Sequence, residues 1–318
     1  MKSVQQEVDD RTNLTSSNKF ELLLFRLGGD ENGDHSELYG INVFKIREIV
    51  AMPPITSVAG SGPHMMGVVN LRGAIIPVID LCGVVGCTPK TGRNIILVTE
   101  FARTTQAFAV ESVEEIVMLD WNQVLSADES TGGGGMVTSI ARIDGNVDNT
   151  RLAQVLDVEQ ILRQITPPSK PDIDETAVGP KISLAPGAII LAADDSGTAR
   201  LLIEGGLKAI GTPYFMAKTG KEAWEKLQHF AETAKKEGKT VKEKVALVLT
   251  DLEMPEMDGF TLTRKIKQDP TFAGIPVVIH SSLSGSTNED HVKSVGADAY
   301  VAKFDAEELA ETIRKALR

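Results

Sequence analysis

Cysteine is scarce in this sequence: Cys82 and Cys87 are the only two among 318 residues. Two thiols cannot build a disulfide framework, and no C-x-x-C metal spacing exists. They read as small buried apolar side chains. Long apolar runs are also missing. The longest, Ala188–Ala193, is far too short to cross a bilayer, so no membrane insertion is expected. Residues Met1 to Arg11 are polar and lack an apolar signal core, which makes a cytoplasmic location the expectation. Positive charge is in deficit, with 33 Lys+Arg against 44 Asp+Glu and a net charge of −11. A nucleic-acid binder needs a basic surface to displace counterions, so nucleic acid is not an expected partner. The glycine run Gly132–Gly135 has no Lys-Ser/Thr after it, which argues against a phosphate loop.

What is present is a sequence in two styles. Residues 1–17 are polar and read as disordered. Residues 166–187 contain Pro167, Pro168, Pro171, Pro180 and Pro186. Proline fixes φ and lacks a donor, so this stretch reads as an extended linker between domains at 18–165 and 188–318. Before the linker the chain is rich in short apolar strands, among them Phe20–Leu27 and Asn94–Thr99. Gly67–Leu71 and Ala74–Leu81 form a pair joined at Arg72-Gly73, and Asp144-Gly145 marks a second hairpin. Short, closely spaced strands predict an all-β domain of small barrels or a sandwich. A terminal helix over Val158–Ile165 leads into the linker.

After the linker the period changes. Strands at Ala188–Ala193, Val245–Thr250, Pro276–His280 and Ala299–Ala302 alternate with amphipathic helices, notably Glu222–Lys235 and Asp305–Arg318. Asp305 and Glu308 provide capping for the last helix. Continuous apolar strands with helices between them predict a doubly wound parallel α/β sheet. Ligands in such sheets collect at the carboxyl ends of the strands. Here those ends carry Asp194-Asp195, Asp251, Ser281-Ser282 and Lys303. Three close carboxylates repel unless they share a cation, and hard oxygen ligands suit Mg²⁺. One carboxylate can then act as nucleophile toward a phosphoryl group, with Lys303 and Mg²⁺ supplying positive charge and Ser281 a hydrogen bond.

The segments Asp194-Asp195, Thr250-Asp251-Leu-Glu-Met-Pro-Glu-Met-Asp-Gly259, His280-Ser281-Ser282 and Gly296-Ala-Asp-Ala-Tyr300-Val-Ala-Lys303 resemble the response-regulator receiver domain, which is flavodoxin-like, over about 187–318. The resemblance implies that Asp251 is the phosphoacceptor. It implies that Asp194, Asp195, Asp251 and the Glu253 backbone carbonyl hold Mg²⁺, and that Ser281 and Lys303 contact the phosphoryl group. Tyr300 is implied to be the aromatic that changes rotamer with Ser281. Departures are Phe304 where the family usually has proline, Gly205-Gly206 inside the first helix, and a long charged stretch over His229–Lys244.

Tyr39-Gly40-Ile41-Asn-Val43, Ile46-Arg-Glu48-Ile49 and Gly67-Val-Val-Asn70-Leu71-Arg72-Gly73-Ala-Ile-Ile-Pro77-Val-Ile-Asp80-Leu81 resemble the CheW-type coupling domain over roughly 18–165. That family folds as two SH3-like β-barrels, bridges chemoreceptors (methyl-accepting chemotaxis proteins) to a histidine kinase, and catalyses nothing. Arg72 is implied to sit at the receptor- or kinase-binding surface, oriented by Glu48, with Gly67 and Gly73 allowing close approach or serving turns. The two domains in this order resemble the CheV family of chemotaxis adaptors. That resemblance implies a cytoplasmic, non-enzymatic protein at chemoreceptor arrays, phosphorylated on Asp251 by the kinase. A phosphate sink for the kinase, or a haloacid-dehalogenase-type phosphatase, are the alternative readings.

Overall fold

The computed structural model describes residues 19–29, 36–101, 104–126, 135–144, 150–166, 178–254, 256–281, 295–303 and 305–318. Expectations for 1–17, Gly132–Gly134, Gly145, linker residues 167–177, Ser282 and Phe304 lie outside the described residues. The chain divides into two compact units, whose described residues fall within 19–167 and 168–318. No helix among the described residues is long and apolar enough to cross a membrane.

The first unit is built on two sheets. One has six strands: β1 (Lys19–Arg26), β2 (Leu38–Asn42), β8 (Ser112–Asp120), β9 (Val124–Ser126), β10 (Val137–Arg142) and β11 (Leu152–Leu156). Their order is β8-β1-β2-β11-β10-β9. The other has five: β3 (Ile46–Ala51), β4 (Met65–Leu71), β5 (Ala74–Asp80), β6 (Ile95–Phe101) and β7 (Thr104–Val110), in the order β3-β6-β7-β5-β4. All pairings are antiparallel except β2 with β11 and β5 with β7.

Chain connectivity forces the six-stranded sheet to curl, and a shared apolar cluster shows the same of the five-stranded one. Strands lie about 4.8 Å apart, so the edges of a flat six-stranded sheet would be about 24 Å apart. Yet edge strand β8 ends at Asp120 and the opposite edge β9 begins at Val124. Four residue steps span at most about 14 Å, so the two edges must approach one another. Phe20, Leu119, Trp121, Val124, Ala141 and Ala153 fill the space enclosed. In the five-stranded sheet, Val50 on one edge and Val69 and Leu71 on the other share one apolar cluster. A third cluster, containing Phe25, Tyr39, Ile79, Cys82, Leu97 and Phe108, draws on both sheets. The β-rich domain expected from the strand spacing is this pair of curled sheets.

Strand β5 runs into a short helix, α1 (Leu81–Val85), where the sequence had suggested strand through Leu81. Asp80 causes the switch: its Oδ1 accepts from the Gly83 amide at 3.1 Å and from Arg93 Nε at 2.6 Å. Helix α2 (Val158–Ile165) closes the unit, capped by Asp157, which accepts from the amides of Glu159 and Gln160.

The second unit is a five-stranded, wholly parallel sheet of β12 (Ile189–Ala193), β13 (Tyr214–Ala217), β14 (Val245–Thr250), β15 (Val277–Ser281) and β16 (Ala299–Ala302). Its order is β13-β12-β14-β15-β16. Helices α3 (Gly197–Ala209) and α6 (Ala306–Ala316) cover one face, through Ile203, Leu207, Leu309 and Ile313. Helices α4 (Gly220–Lys236) and α5 (Gly259–Gln268) cover the other, through Ala223, Leu227, Leu262 and Ile266. The chain moves outward from β12 toward β13 and in the opposite direction from β14 toward β15. The crevice at the carboxyl ends of β12 and β14 is therefore the switch point at which doubly wound sheets bind ligands.

Burial of Cys82 pushes its thiol up to about 12, with the neighbouring Asp80 carboxylate adding to the effect. We expect iodoacetamide at pH 8 to leave Cys82 unmodified in the folded chain and to modify it fully in urea, as read by peptide mass spectrometry. Equal rates in the two conditions would contradict its placement in the core.

Candidate functional site

Parallel register brings the polar residues at the strand ends together. Ala193 on β12 pairs with Thr250 on β14, so Asp194 and Asp251 are the next residues on adjacent strands. Ser281 on β15 pairs with Ala302 on β16, which sets Lys303 beside it, and the Lys303 amide donates to the Ser281 carbonyl at 2.9 Å. One carboxylate oxygen each from Asp194, Asp195 and Asp251 lies within 4.8 Å of the others. The Lys303 ammonium is 2.9 Å from Asp194 Oδ2 and 3.0 Å from Asp251 Oδ2. Asp194, Asp251, Ser281 and Lys303 are all buried, while Asp195 is half-buried.

The loops that carry these groups are fixed by local bonds. Asp194 Oδ1 accepts from the Ser196 amide at 2.9 Å, and Ser196 caps α3. The Asp251 amide donates to the Ala193 carbonyl at 2.9 Å, tying the two acidic loops to each other. Gly259 opens α5 against the Asp251 backbone: a Cβ there would lie 2.0 Å from the Asp251 carbonyl oxygen, which no side chain can occupy. Tyr300 on β16 is half-buried, and its hydroxyl donates to the Ser281 carbonyl at 3.5 Å. Glu253 follows Asp251 by two residues in the β14–α5 loop.

Two contributions to this pocket were not found from the sequence. Arg200, in the first turn of α3, donates from Nη1 to the carbonyls of Asp194 at 3.0 Å and Asp195 at 2.8 Å. A basic residue in a helix's first turn opposes the macrodipole. That misfit was a readable signal that the side chain serves something other than its helix. Glu256 adopts φ +64 and pairs with Lys221 at 2.8 Å, which holds the β14–α5 loop against the start of α4.

The donor set suits a hard divalent cation. Three carboxylates and one ammonium sum to a formal −2, and buried charge is costly unless compensated. Carboxylate oxygens are the ligands that Mg²⁺ prefers.

In the first unit, Arg72 and Gly73 form the two-residue turn between β4 and β5, with φ values of +51 and +88. Hairpin turns with positive φ at both positions favour Asn-Gly; an arginine there is strained. Asn70 Oδ1 accepts from the Gly73 amide at 3.0 Å and helps close the turn. Arg72 Nη2 lies 3.1 Å from Glu48 Oε2, on the edge strand at the opposite side of the sheet. The Arg72 side chain is 76% exposed. Gly67 has φ +140 and approaches the Thr56 carbonyl so closely that a Cβ would sit 2.3 Å from it. The sites at Arg72 and at Asp251 belong to different compact units.

Comparison with known proteins agrees with this division. The CheW-like domain family matches residues 21–166, and the response regulator receiver domain family matches 190–314. Chemotaxis protein CheV3 of Helicobacter pylori is 32% identical over 308 residues, covering 94% of this chain and 95% of that protein. CheV2 of the same organism is 29% identical over 330 residues, covering 98% and 99%. Among solved structures, scaffolding protein TtCheW from Thermoanaerobacter tengcongensis is 26% identical, with a TM-score of 0.38, covering 44% of this chain and 89% of its own. Chemotaxis response regulator CheY4 of Vibrio cholerae is 25% identical, with a TM-score of 0.35, covering 41% and 98%.

A CheW-like domain followed by a receiver domain defines the class: a two-domain coupling protein whose second half carries an acidic strand-end pocket. The chain belongs to the CheV family of chemotaxis proteins.

Relieving the turn strain should stabilise the first unit. Arg72→Asn removes a side chain that tolerates positive φ poorly and forfeits only an exposed ion pair, a net gain of about 0.5–1 kcal/mol. Urea denaturation of the full chain should show the gain; a loss of stability would mean that the Glu48 pair outweighs the strain.

Proposed function

We propose that this chain is a phosphorylatable chemotaxis adaptor, with Asp251 as the phosphoacceptor and the CheW-like unit as the element that contacts receptors and kinase. The observation that carries the reading is the buried Lys303 ammonium held 2.9 and 3.0 Å from Asp194 and Asp251, beside a third carboxylate. Receiver domains in general bind Mg²⁺ through acidic residues. In this chain Asp194, Asp195, Asp251 and the Glu253 carbonyl are the groups that would hold it. When bound, Mg²⁺ neutralises part of the carboxylate charge and that of the incoming phosphoryl oxygens.

The transfer then falls to the chain's own groups. An Asp251 carboxylate oxygen attacks the phosphorus of a phosphohistidine on the chemotaxis kinase. The P–N bond breaks with its electron pair staying on the imidazole nitrogen, and the ring leaves as neutral imidazole, keeping the proton already on its other nitrogen. Lys303 sits where negative charge spreads over the phosphoryl oxygens, so its ammonium stabilises the transition state. The Ser281 hydroxyl donates to a phosphoryl oxygen of the product, and Tyr300 follows Ser281 inward. Arg200 acts as a positioning residue by anchoring the carbonyls of the Asp194-Asp195 loop. Nothing in this chemistry turns over a separate substrate; the chain is its own acceptor.

For the first unit, the exposed Arg72 lies three residues before Ile75, an isoleucine 73% exposed on β5 of the same hairpin. An exposed cation on a strained turn and an exposed large apolar side chain on the strand that follows support a protein-contact role for this hairpin. Chemoreceptors and the chemotaxis histidine kinase are the partners in this reading, and the location is cytoplasmic, at receptor arrays.

Label transfer from phosphorylated chemotaxis kinase tests the assignment. Asp251→Asn and chelation of divalent metal should each abolish labelling. Lys303→Gln should slow transfer by about 100-fold, the effect of losing one preorganised charge-stabilising donor. Undiminished labelling of Asp251→Asn would refute the phosphoacceptor. Separately, Arg72→Asn should weaken capture of the chain by receptor–kinase complexes in a sedimentation assay; unchanged capture would remove Arg72 from the interface.

A further inference from the structure

The proline-containing stretch between the family domains is, from Val178 onward, part of the second unit's packing. Val178 is 1% exposed and lies in the core made by α3 and α6, with Ile203, Leu207, Leu309 and Ile313. Ile182 and Leu184 pack on the same core. The Ile182 amide donates to the Ile210 carbonyl at the end of α3, at 2.8 Å. Arg314, in the last turn of α6, donates from Nη2 to the Val178 carbonyl and, at 2.8 Å, to the Pro180 carbonyl. Gly179 adopts φ +76, and a Cβ there would sit 3.1 Å from the guanidinium, so glycine lets the backbone run directly against Arg314. Residues 178–184 thus form a strap laid across α3 and α6, beginning 12 residues before the receiver-family match at 190.

The opposite end of α6 starts beside the acidic pocket. Lys303 pairs with Asp194 and Asp251, and two residues later Asp305 caps α6 by accepting from the Glu308 amide at 2.9 Å. Helix α6 has eleven residues, about 15 Å of rigid rod between Asp305 and the strap. Its inner side chains sit in a close-packed core, which transmits a displacement instead of absorbing it. A phosphoryl group on Asp251 offers the ammonium three new oxygens and draws it away from Asp194. Lys303 stands two residues before the Asp305 cap, so its re-pairing acts at the β16–α6 junction.

We propose that the strap is the receiver's output element: phosphorylation re-pairs Lys303, shifts α6, and loosens the hold of Arg314 and the α3–α6 groove on residues 178–184. The modification is thereby passed to the preceding part of the chain, which leads back to the CheW-like unit. The inference rests on the reading of Asp251 as phosphoacceptor. It makes Arg314 a positioning residue that takes no part in phosphoryl transfer.

Amide hydrogen exchange on the full chain, with Mg²⁺ and with or without beryllofluoride as a stable phosphoryl mimic, tests it. The expected result is slower exchange at residues 251–254 together with exchange at the Ile182 amide at least ten-fold faster. Arg314→Ala should speed Ile182 exchange without the mimic and allow no further increase with it, while the slowing at 251–254 persists. Val178→Ala, which loosens the other end of the strap, should behave in the same way. Slowing at 251–254 with Ile182 unchanged would overturn the strap as output element and leave the phosphoacceptor intact. No change at 251–254 would overturn both.

Discussion

One buried ammonium organises the second half of this protein. Lys303 sits out of solvent between two aspartates that would otherwise repel each other across adjacent strands. Parallel register, the cap of α3 and the absence of a Cβ at Gly259 all converge on placing those aspartates within its reach. Beside it stands a third carboxylate, that of Asp195, and carboxylate oxygens are the donor type that a hard divalent cation prefers.

The first half solves a different problem. Among its described residues there is no comparable group of three acidic side chains: curled sheets enclose apolar cores, and its distinctive feature is an exposed arginine held at positive φ on a hairpin turn. Strain is retained there at an exposed position where asparagine or glycine would be more comfortable. The contrast between a strained exposed turn in one unit and a charged buried pocket in the other matches a CheW-like coupler joined to a receiver in the CheV family.

The pocket was largely legible from the sequence because apolar β-branched runs fix where strands end, and the chemistry follows each run immediately. Asp194, Asp195, Asp251, Ser281 and Lys303 could be read that way, and the structure gathers them at one rim. Edge strand β13, Tyr214–Ala217, was not read, since four residues of mixed burial leave no period to detect. Strands β3 and β8 are hard to read for a similar reason: each has at most one buried position, and acidic residues interrupt the apolar ones, so no alternation marks a buried face. The strain at Arg72 was hidden because Arg-Gly is not the dipeptide that announces a turn with positive φ. The strap was hidden by its prolines, which break any helical or strand pattern although Val178, Ile182 and Leu184 are apolar and packed. Arg200 acts on backbone carbonyls, and backbone partners leave no mark in residue spacing.

Chemical trapping of the phosphorylated full chain tests the central claim most directly. Borohydride reduces an aspartyl phosphate to homoserine, so the modified residue can be located by peptide mass spectrometry. The account predicts homoserine at position 251 and nowhere else. Homoserine at 194 or 195, or a phosphorylated chain that yields none, would contradict it.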